Sequence, residues 1–379
     1  MKLKNPFLVR GYAGADYFCD RELETRKLLA AFENDRDVTL IAPRRFGKTG
    51  LIHHVISRLP DEFTGIYIDI FSTHCLAEFT EAFVSAVIGA LDSRIEVAMS
   101  NVARFFKSCR PTVVPQEDGM PKFSFEIMPT TAGATLKEAF EYLKSKNRRV
   151  VIAIDEFQQI GEYPEKGVEA LLRGLIQFLP GVRFVFAGSR KHMMEEMFAS
   201  PKRPFFQSTQ ILSLREIPCD SYAAFSKAFF AGAGLPFDDA LFADVYRRFD
   251  GITWYVQAVM NRVWEAGEGL SDVSQIEAAI ESLVEDQDMV YHDLLRSQSD
   301  GSQKMLVAIA HAGSVAKPSS VRFVADAGFR ATSSAAFALN DLRNRDLVYE
   351  TGAGWVVYDR LFGLWLRRIS LPSNSKTVL

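Results

Sequence analysis

Cysteine is scarce in this sequence: Cys19, Cys75, Cys109 and Cys219 are scattered, and no two form a Cys-x-x-Cys pair. That excludes a cysteine-built zinc site and a disulfide framework, and it fits free thiols in a reducing, cytoplasmic setting. No apolar run approaches the roughly 18–20 residues of a membrane span, so no membrane association is expected. The opening Met1-Lys2-Leu3-Lys4-Asn5-Pro6 lacks the apolar core of a secretion signal. Internal repeats and low-complexity tracts are absent, which excludes a solenoid or a propeller. Neither charge sign dominates: 44 Lys and Arg stand against 47 Asp and Glu, a formal charge of −3. A globally basic nucleic-acid-binding surface is excluded on that count.

What is present suits two or three soluble domains, since 379 residues exceed one ordinary domain. Short apolar runs, Val38–Ile41, Ile66–Phe71, Val150–Ile154, Phe184–Ala187 and Gln210–Leu214, alternate with stretches of helical periodicity. Strands buried between layers of helices predict an α/β core with a mostly parallel sheet. Ser108–Thr131, rich in Pro, Gly and Thr, breaks the pattern and reads as an irregular insertion (about 100–131) before a helix at Leu136–Lys146. After Asp220 the strand signal disappears and the chain reads helical to about Arg296. Three helices follow, at Gln303–His311, Ser319–Ala327 and Ser333–Asn344, then strands Leu347–Glu350 and Trp355–Tyr358 around a Thr351-Gly352-Ala353-Gly354 turn. Three helices and a hairpin make a winged helix. The division expected is a core at 1–216, a helical lid at 217–300, a winged helix at 301–370 and a tail at 371–379.

The residues richest in chemistry are Ala42-Pro43-Arg44-Arg45-Phe46-Gly47-Lys48-Thr49, followed by Gly50. They stand where an apolar strand gives way to a helix, the setting of a phosphate-binding loop. Gly47 lets the backbone approach phosphates, Lys48 reaches their oxygens, and Thr49 offers a hydroxyl to Mg²⁺. Ala42 stands where the first glycine is usual. Arg44 and Arg45 either add charge near the phosphates, contact a neighbouring domain or subunit, or lie on the surface. A second motif ends the apolar strand Val150–Ile154 in Asp155-Glu156. In P-loop NTPases the first acid holds Mg²⁺ through water and the second activates the attacking water. Asp155 and Glu156 fit those roles in that order. At the end of a further strand, Gly188-Ser189-Arg190 offers Ser189 or Arg190 as a sensor of the γ-phosphate, with Arg190 suited to offsetting transition-state charge. His53 and His54, adjacent on a helix, do not share a face and make no metal pair. Most of the 30 Phe residues are read as core, and Trp365 as the anchor of the terminal helix.

Together these segments resemble the archaeal and bacterial ATPase group of the STAND NTPases, within the AAA+-like P-loop class. The resemblance covers nearly the whole chain. It rests on Asn5-Pro6-Phe7, Phe18-Cys19-Asp20-Arg21-Glu22, the loop Pro43–Thr49, Ile154-Asp155-Glu156-Phe157-Gln158, Gly188-Ser189-Arg190 and Tyr358–Leu366. It implies an ASCE core with strand order 5-1-4-3-2, a helical lid and a winged helix, and it places Arg21 and Glu22 near the adenine pocket. Two departures are visible: Ala42 in the loop, and Thr253 where many relatives carry the proline of a Gly-x-Pro motif.

The implied activity is a slow, Mg²⁺-dependent ATP hydrolysis in a molecular switch that binds ATP or ADP and an unidentified protein partner. An alternative is DNA recognition by the winged helix. Nine Lys or Arg against five Asp or Glu between Ser302 and Ile369 give that segment an excess of four positive charges. Thr332, Ser333, Ser334, Arg343 and Arg345 would face the duplex, though Asp341 and Asp346 interrupt the patch. A scaffold that binds ATP without turnover is a further alternative. A small-molecule kinase fits poorly, because a kinase need not activate water.

Overall fold

The computed structural model describes residues 3–92, 95–108, 110–114 and 122–369, so Cys109 and the tail 371–379 lie outside the described residues. The chain divides into two compact units, Met1–Ser226 with Asp250–Gln257, and Lys227–Phe249 with Ala258–Leu379.

The first unit opens with α1 (Glu22–Glu33), β1 (Val38–Ile41), α2 (Lys48–Ile56), β2 (Phe63–Asp69) and α3 (Leu76–Leu91). Then come α4 (Ile95–Phe105), β3 (Arg110–Val114), β4 (Lys122–Glu126), α5 (Ala132–Ser145), β5 (Arg149–Asp155) and α6 (Val168–Ile176). It continues through β6 (Val182–Gly188), α7 (Lys191–Ala199) and β7 (Gln210–Ser213) into α8 (Cys219–Gly232), which passes into the second unit after Ser226. Five strands form one parallel sheet in the order β2-β5-β6-β1-β7. With the β3-β4 pair set aside, that is the expected 5-1-4-3-2 order. All four residues of β1 are buried, as are six of the seven in β5, because helices cover both faces of the sheet. The strand β6 lies between β1 and β5, so their C-terminal ends open a gap at one edge of the sheet.

Phenylalanine fills the core beside that edge. Phe157, Phe186, Phe198 and Phe205 are each at most 1% exposed, with ring centroids 4.5–5.8 Å apart. The stretch Ser108–Thr131 corrects the expectation of an irregular insertion. Within it β3 and β4 pair antiparallel, Arg110 opposite Glu126, and Phe125 is buried with its ring 6.0 Å from that of Phe106. The Pro and Gly content masked a strand pair whose β-branched run, Thr112-Val113-Val114, favours extended backbone.

The second unit contains α9 (Asp239–Arg248), most of α10 (Thr253–Ala266), α11 (Val273–Glu285) and α12 (Asp288–Arg296). Then come α13 (Asp300–Ala312), α14 (Val321–Asp326), α15 (Thr332–Asn344), β8 (Val348–Thr351), β9 (Gly354–Val357) and α16 (Arg360–Leu366). The last six elements are the expected winged helix. Val315 exchanges two backbone hydrogen bonds of 2.9 Å with Trp355 and so adds a short third strand to the hairpin. Only glycine fits position 354: its φ is +127°, and a Cβ there would lie 2.6 Å from the Val315 backbone. Asp359 caps α16 through the amides of Leu361 and Phe362. Trp365, 3% exposed, donates its indole N–H to Asp288 Oδ1 at 2.7 Å and fastens α16 to α12.

Phe186→Ala removes the ring at the centre of the aromatic cluster and leaves a cavity. We expect it to lower stability by about 3–5 kcal/mol, read from urea unfolding midpoints; a change under about 1 kcal/mol would show that the cluster is not tightly packed.

Candidate functional site

The loop between β1 and α2 turns sharply enough to need two left-handed residues, Arg45 at φ +72° and Gly47 at φ +83°. Glycine adopts that conformation without penalty, whereas for arginine it is strained and has to be held by its surroundings. The holding contacts come from the first turn of α10, which belongs to the same unit as the loop. The Arg45 guanidinium lies 4.5 Å from the Trp254 ring centroid and 4.9 Å from that of Tyr255, and it donates to the Tyr255 hydroxyl. The Trp254 amide donates to Arg45 O at 3.0 Å. Phe46 O accepts from Thr253 Oγ1 at 3.4 Å and from Arg21 Nη2 at 3.2 Å. Arg21 also donates to Arg215 O at 2.6 Å and is 4% exposed.

The helix that follows begins with Lys48, whose Nζ lies 2.9 Å from Asp155 Oδ1 and 3.0 Å from Glu156 Oε1. Thr49 Oγ1 donates to Asp155 Oδ2 at 2.7 Å, and the Tyr67 hydroxyl donates to the same oxygen at 3.2 Å. Glu156, left-handed at φ +57°, accepts from Ser189 Oγ at 2.7 Å and from Gln158 Nε2 at 2.5 Å. Burial pushes both carboxyls up. The Lys48 ammonium and these hydrogen bonds outweigh it and hold Asp155 and Glu156 below the usual carboxylate range. Asp69, opposite Asp155 in the register of β2 and β5, goes the other way: burial raises it, and the charges of Asp155 and Glu156 add to the effect.

Beside this cluster lies a cavity of about 450 Å³, lined in part by Pro43 through Gly50, Arg21 and Glu156. Val9, Arg10, Tyr12, Phe18, Ile217, Trp254 and Gln257 are among the other lining residues. Gly50 lies under the Phe18 ring, where a Cβ would sit 3.4 Å away. The structure thus brings Arg21, the whole loop, Asp155, Glu156 and Ser189 together. It leaves Glu22 outside: that carboxylate is exposed, accepts from Arg58 at 3.2 Å and does not line the cavity. Arg190 turns to an ion pair with Glu162. Tyr67, Gln158 and the Thr253-Trp254-Tyr255 turn were not picked out as site residues. Tyr67 lies two residues before Asp69 on β2, hence on the same face, a position that only the strand register reveals. Among the described residues no cluster of three or more His, Cys, Asp or Glu could hold a metal ion unaided. Among the described residues no helix is long and apolar enough to cross a membrane.

A parallel five-stranded sheet with the loop after its first strand and the acid pair after its third defines the fold of a P-loop ATPase of the AAA+-like class. Comparison with known proteins gives the family. A family described as an ATPase domain predominantly from Archaea matches residues 18–259, and a probable winged helix domain matches residues 289–368. The chain belongs to this archaeal-type ATPase family. An uncharacterized ATP-binding protein of Pyrococcus horikoshii is 27% identical over 164 residues, covering 43% of this chain and 49% of that protein. Another, from Methanocaldococcus jannaschii, is 26% identical over 180 residues, 43% and 45% of the two chains. The chain therefore matches about half the length of these curated relatives. Among solved structures, the Walker-type ATPase paby2304 of Pyrococcus abyssi superposes with a TM-score of 0.66 at 18% identity, covering 96% of this chain and 99% of that one. The ORC1 protein of Aeropyrum pernix, solved in complex with DNA, gives 0.55 at 13% identity, with 97% of each chain covered.

The depressed carboxyls set the sign of a pH effect. Their contribution to stability is fully present above the unfolded values near pH 4 and is lost as pH falls through the lower folded values. The stability gap between the unaltered chain and Asp155→Asn should therefore narrow as pH is lowered from 7 to 3. Urea midpoints at each pH measure it, and a gap that stays constant or widens contradicts the Lys48 pairing.

Proposed function

We propose that this chain binds ATP with Mg²⁺ and hydrolyses it slowly, as a nucleotide-dependent switch of the STAND type. The observation that carries the reading is Lys48, an ammonium at the first turn of α2 lying between the carboxylates of Asp155 and Glu156. A loop lysine that meets both acids can exchange them for phosphate oxygens, and the acids are then released for their own tasks. The amides at the start of α2, with the left-handed Gly47 before them, face an anion in this setting. The relatives named as ATP-binding proteins support the same ligand.

The donor set fits Mg²⁺. Thr49 Oγ1 and Asp155 Oδ2 lie 2.7 Å apart and are both hard oxygen donors, and too few acids converge to hold the ion without phosphate. Thr49 would hold it directly and Asp155 through water. Bound there, the ion would offset charge on the phosphates. Glu156 is the base that orients and deprotonates the attacking water. Ser189, which donates to Glu156 Oε2, would report the γ-phosphate; Arg190 would do so only on leaving Glu162. Arg21 and Thr253 hold Phe46 O and so keep the loop open to phosphate. Since α10 begins on the loop and continues into the second unit, it is the element that would carry the nucleotide state to the lid and winged helix, where a protein partner would read it.

One feature supports a second reading, DNA binding by the winged helix. Thr332, Ser333, Ser334, Arg343 and Arg345 are all exposed on or at the end of α15, and the Aeropyrum pernix ORC1 protein was solved on DNA. Arg345 is paired with Asp341 at 3.1 Å, however, and Arg343 donates to Asn340, which weakens the patch.

Phosphate release and equilibrium ATP binding test the first reading. Lys48→Ala should weaken ATP binding by about tenfold or more. Glu156→Gln should keep binding and lose turnover by about 10²-fold or more. A purified chain that binds no ATP overturns the proposal, whereas normal turnover in Glu156→Gln overturns only the base. For the second reading, a duplex should bind in low salt and lose most of that binding in the double variant Arg343→Ala/Arg345→Ala; no shift at low salt ends it.

A further inference from the structure

On the cavity wall, one buried polar group is left without a partner. Gln257 is 7% exposed and lines the cavity, and its Oε1 is buried with no hydrogen-bond partner. A buried amide oxygen without a donor is unfavourable by itself, and such groups in native proteins mark a place where something else supplies the donor.

The location of Gln257 says what that donor is. It stands one helical turn after Thr253, on the same face of α10 and about 6 Å further along the axis. Thr253 touches the loop, donating to Phe46 O and lying 3.8 Å from where a Gly47 Cβ would be. From Thr253 to Gln257 the helix face thus leads away from the phosphate end of the cavity. Beyond the loop the lining is mostly apolar or aromatic, with Val9, Tyr12, Phe18, Ile217 and Trp254, and Arg10 adds a charge among them. The Trp254 indole donates to Val9 O at 3.0 Å and pins the N-terminal segment to α10. Tyr12 is fixed from behind by His54 Nδ1 at 2.9 Å, and the His54 ring stacks on Phe18 at 4.2 Å. A mostly apolar, aromatic-rich lining with one unpartnered acceptor suits a heteroaromatic base that carries an N–H donor on its edge.

We infer that the Gln257 carboxamide oxygen accepts a hydrogen bond from the exocyclic amino group of adenine, and that Gln257 thereby selects adenine nucleotides. The inference rests on the nucleotide reading of the cavity given above. Guanine presents a carbonyl oxygen where adenine presents its amino group, so two acceptors would face each other. A base lacking the amino group would leave Oε1 as unpaired as it is in the free protein. Discrimination at a buried polar group of this kind exceeds what an apolar wall supplies.

The test uses equilibrium binding of three diphosphates, ADP, GDP and purine riboside 5′-diphosphate, which lacks the 6-amino group. They are compared in the unaltered chain and in Gln257→Met, an apolar replacement of similar size. The unaltered chain should bind ADP about tenfold more tightly than the deaminated analogue. In Gln257→Met, ADP should weaken by about tenfold while the analogue is unchanged, so the preference disappears. The ligand-free variant should melt no lower than the unaltered chain, because it removes an unpaired acceptor from the interior. ADP binding and preference unaltered in Gln257→Met would overturn this inference and leave the nucleotide site standing. Equal weakening of ADP and the analogue would also overturn it, assigning Gln257 to the ribose or to the wall. Failure of the unaltered chain to bind any of the three would bring down the ATP-binding reading and this inference together.

Discussion

The ammonium of Lys48 between Asp155 and Glu156 is the contact on which the site depends. It joins the first turn of α2 to the end of β5, although β6 separates β5 from β1 in the sheet. Buried charges are costly unless every remaining lone pair finds a donor. Here Asp155 receives Thr49, Tyr67 and the Glu156 amide, while Glu156 receives Ser189 and Gln158. Both carboxylates are thus paired and hydrogen-bonded, with Gln158 Oε1 the one buried atom of the cluster left without a partner, and its members come from α2, β2, the ends of β5 and β6, and the turn after β5. Such a network fixes where the strand ends stand relative to the loop. That position is what a phosphate-handling site needs.

The strain of the loop follows from the same requirement. Arg45 and Glu156 both line the cavity and are left-handed, and Arg21 is left-handed at the start of α1. Each is held by contacts that a relaxed backbone would not make: Arg45 by Trp254 and Tyr255, Glu156 by Lys48, Arg21 by the carbonyls of Phe46 and Arg215. Backbone strain of this kind persists where surrounding structure over-determines it, and here it coincides with the candidate site. The proline missing at position 253 is part of this account. Threonine supplies a hydroxyl to Phe46 O, a bond that proline could not make.

The second unit obeys different constraints. Its winged helix depends on apolar faces, on Gly354 where Val315 passes closely, and on the Trp365–Asp288 hydrogen bond. None of these features demands a ligand. The basic residues of its surface are partly consumed by neighbours, as with Arg345 on Asp341 and Arg368 on Glu281. A count of charges along a sequence overstates the field available to a partner when the cations are already paired.

What the sequence by itself determined is everything encoded over short spans. The apolar runs marked all five core strands to within about three residues, the glycine and lysine of the loop marked the start of α2, and the acid pair marked the end of β5. The winged helix was legible because three amphipathic helices and a Gly-containing turn follow one another without a gap. The strand pair within Ser108–Thr131 was not, since two strands of five residues each leave little periodicity among turn-forming residues. Only the tertiary structure decided that Glu22 faces solvent while Arg21 is buried, and that Arg190 goes to Glu162. It alone decided that Arg45 stacks on two aromatic rings and that Gln257 lines the cavity with its buried oxygen unpaired. The reason is physical: adjacent residues point in different directions, and the side chains that meet are often more than 100 positions apart, as Thr49 is 106 from Asp155. Strand order and helix rotation set those meetings, and neither is written into a local pattern.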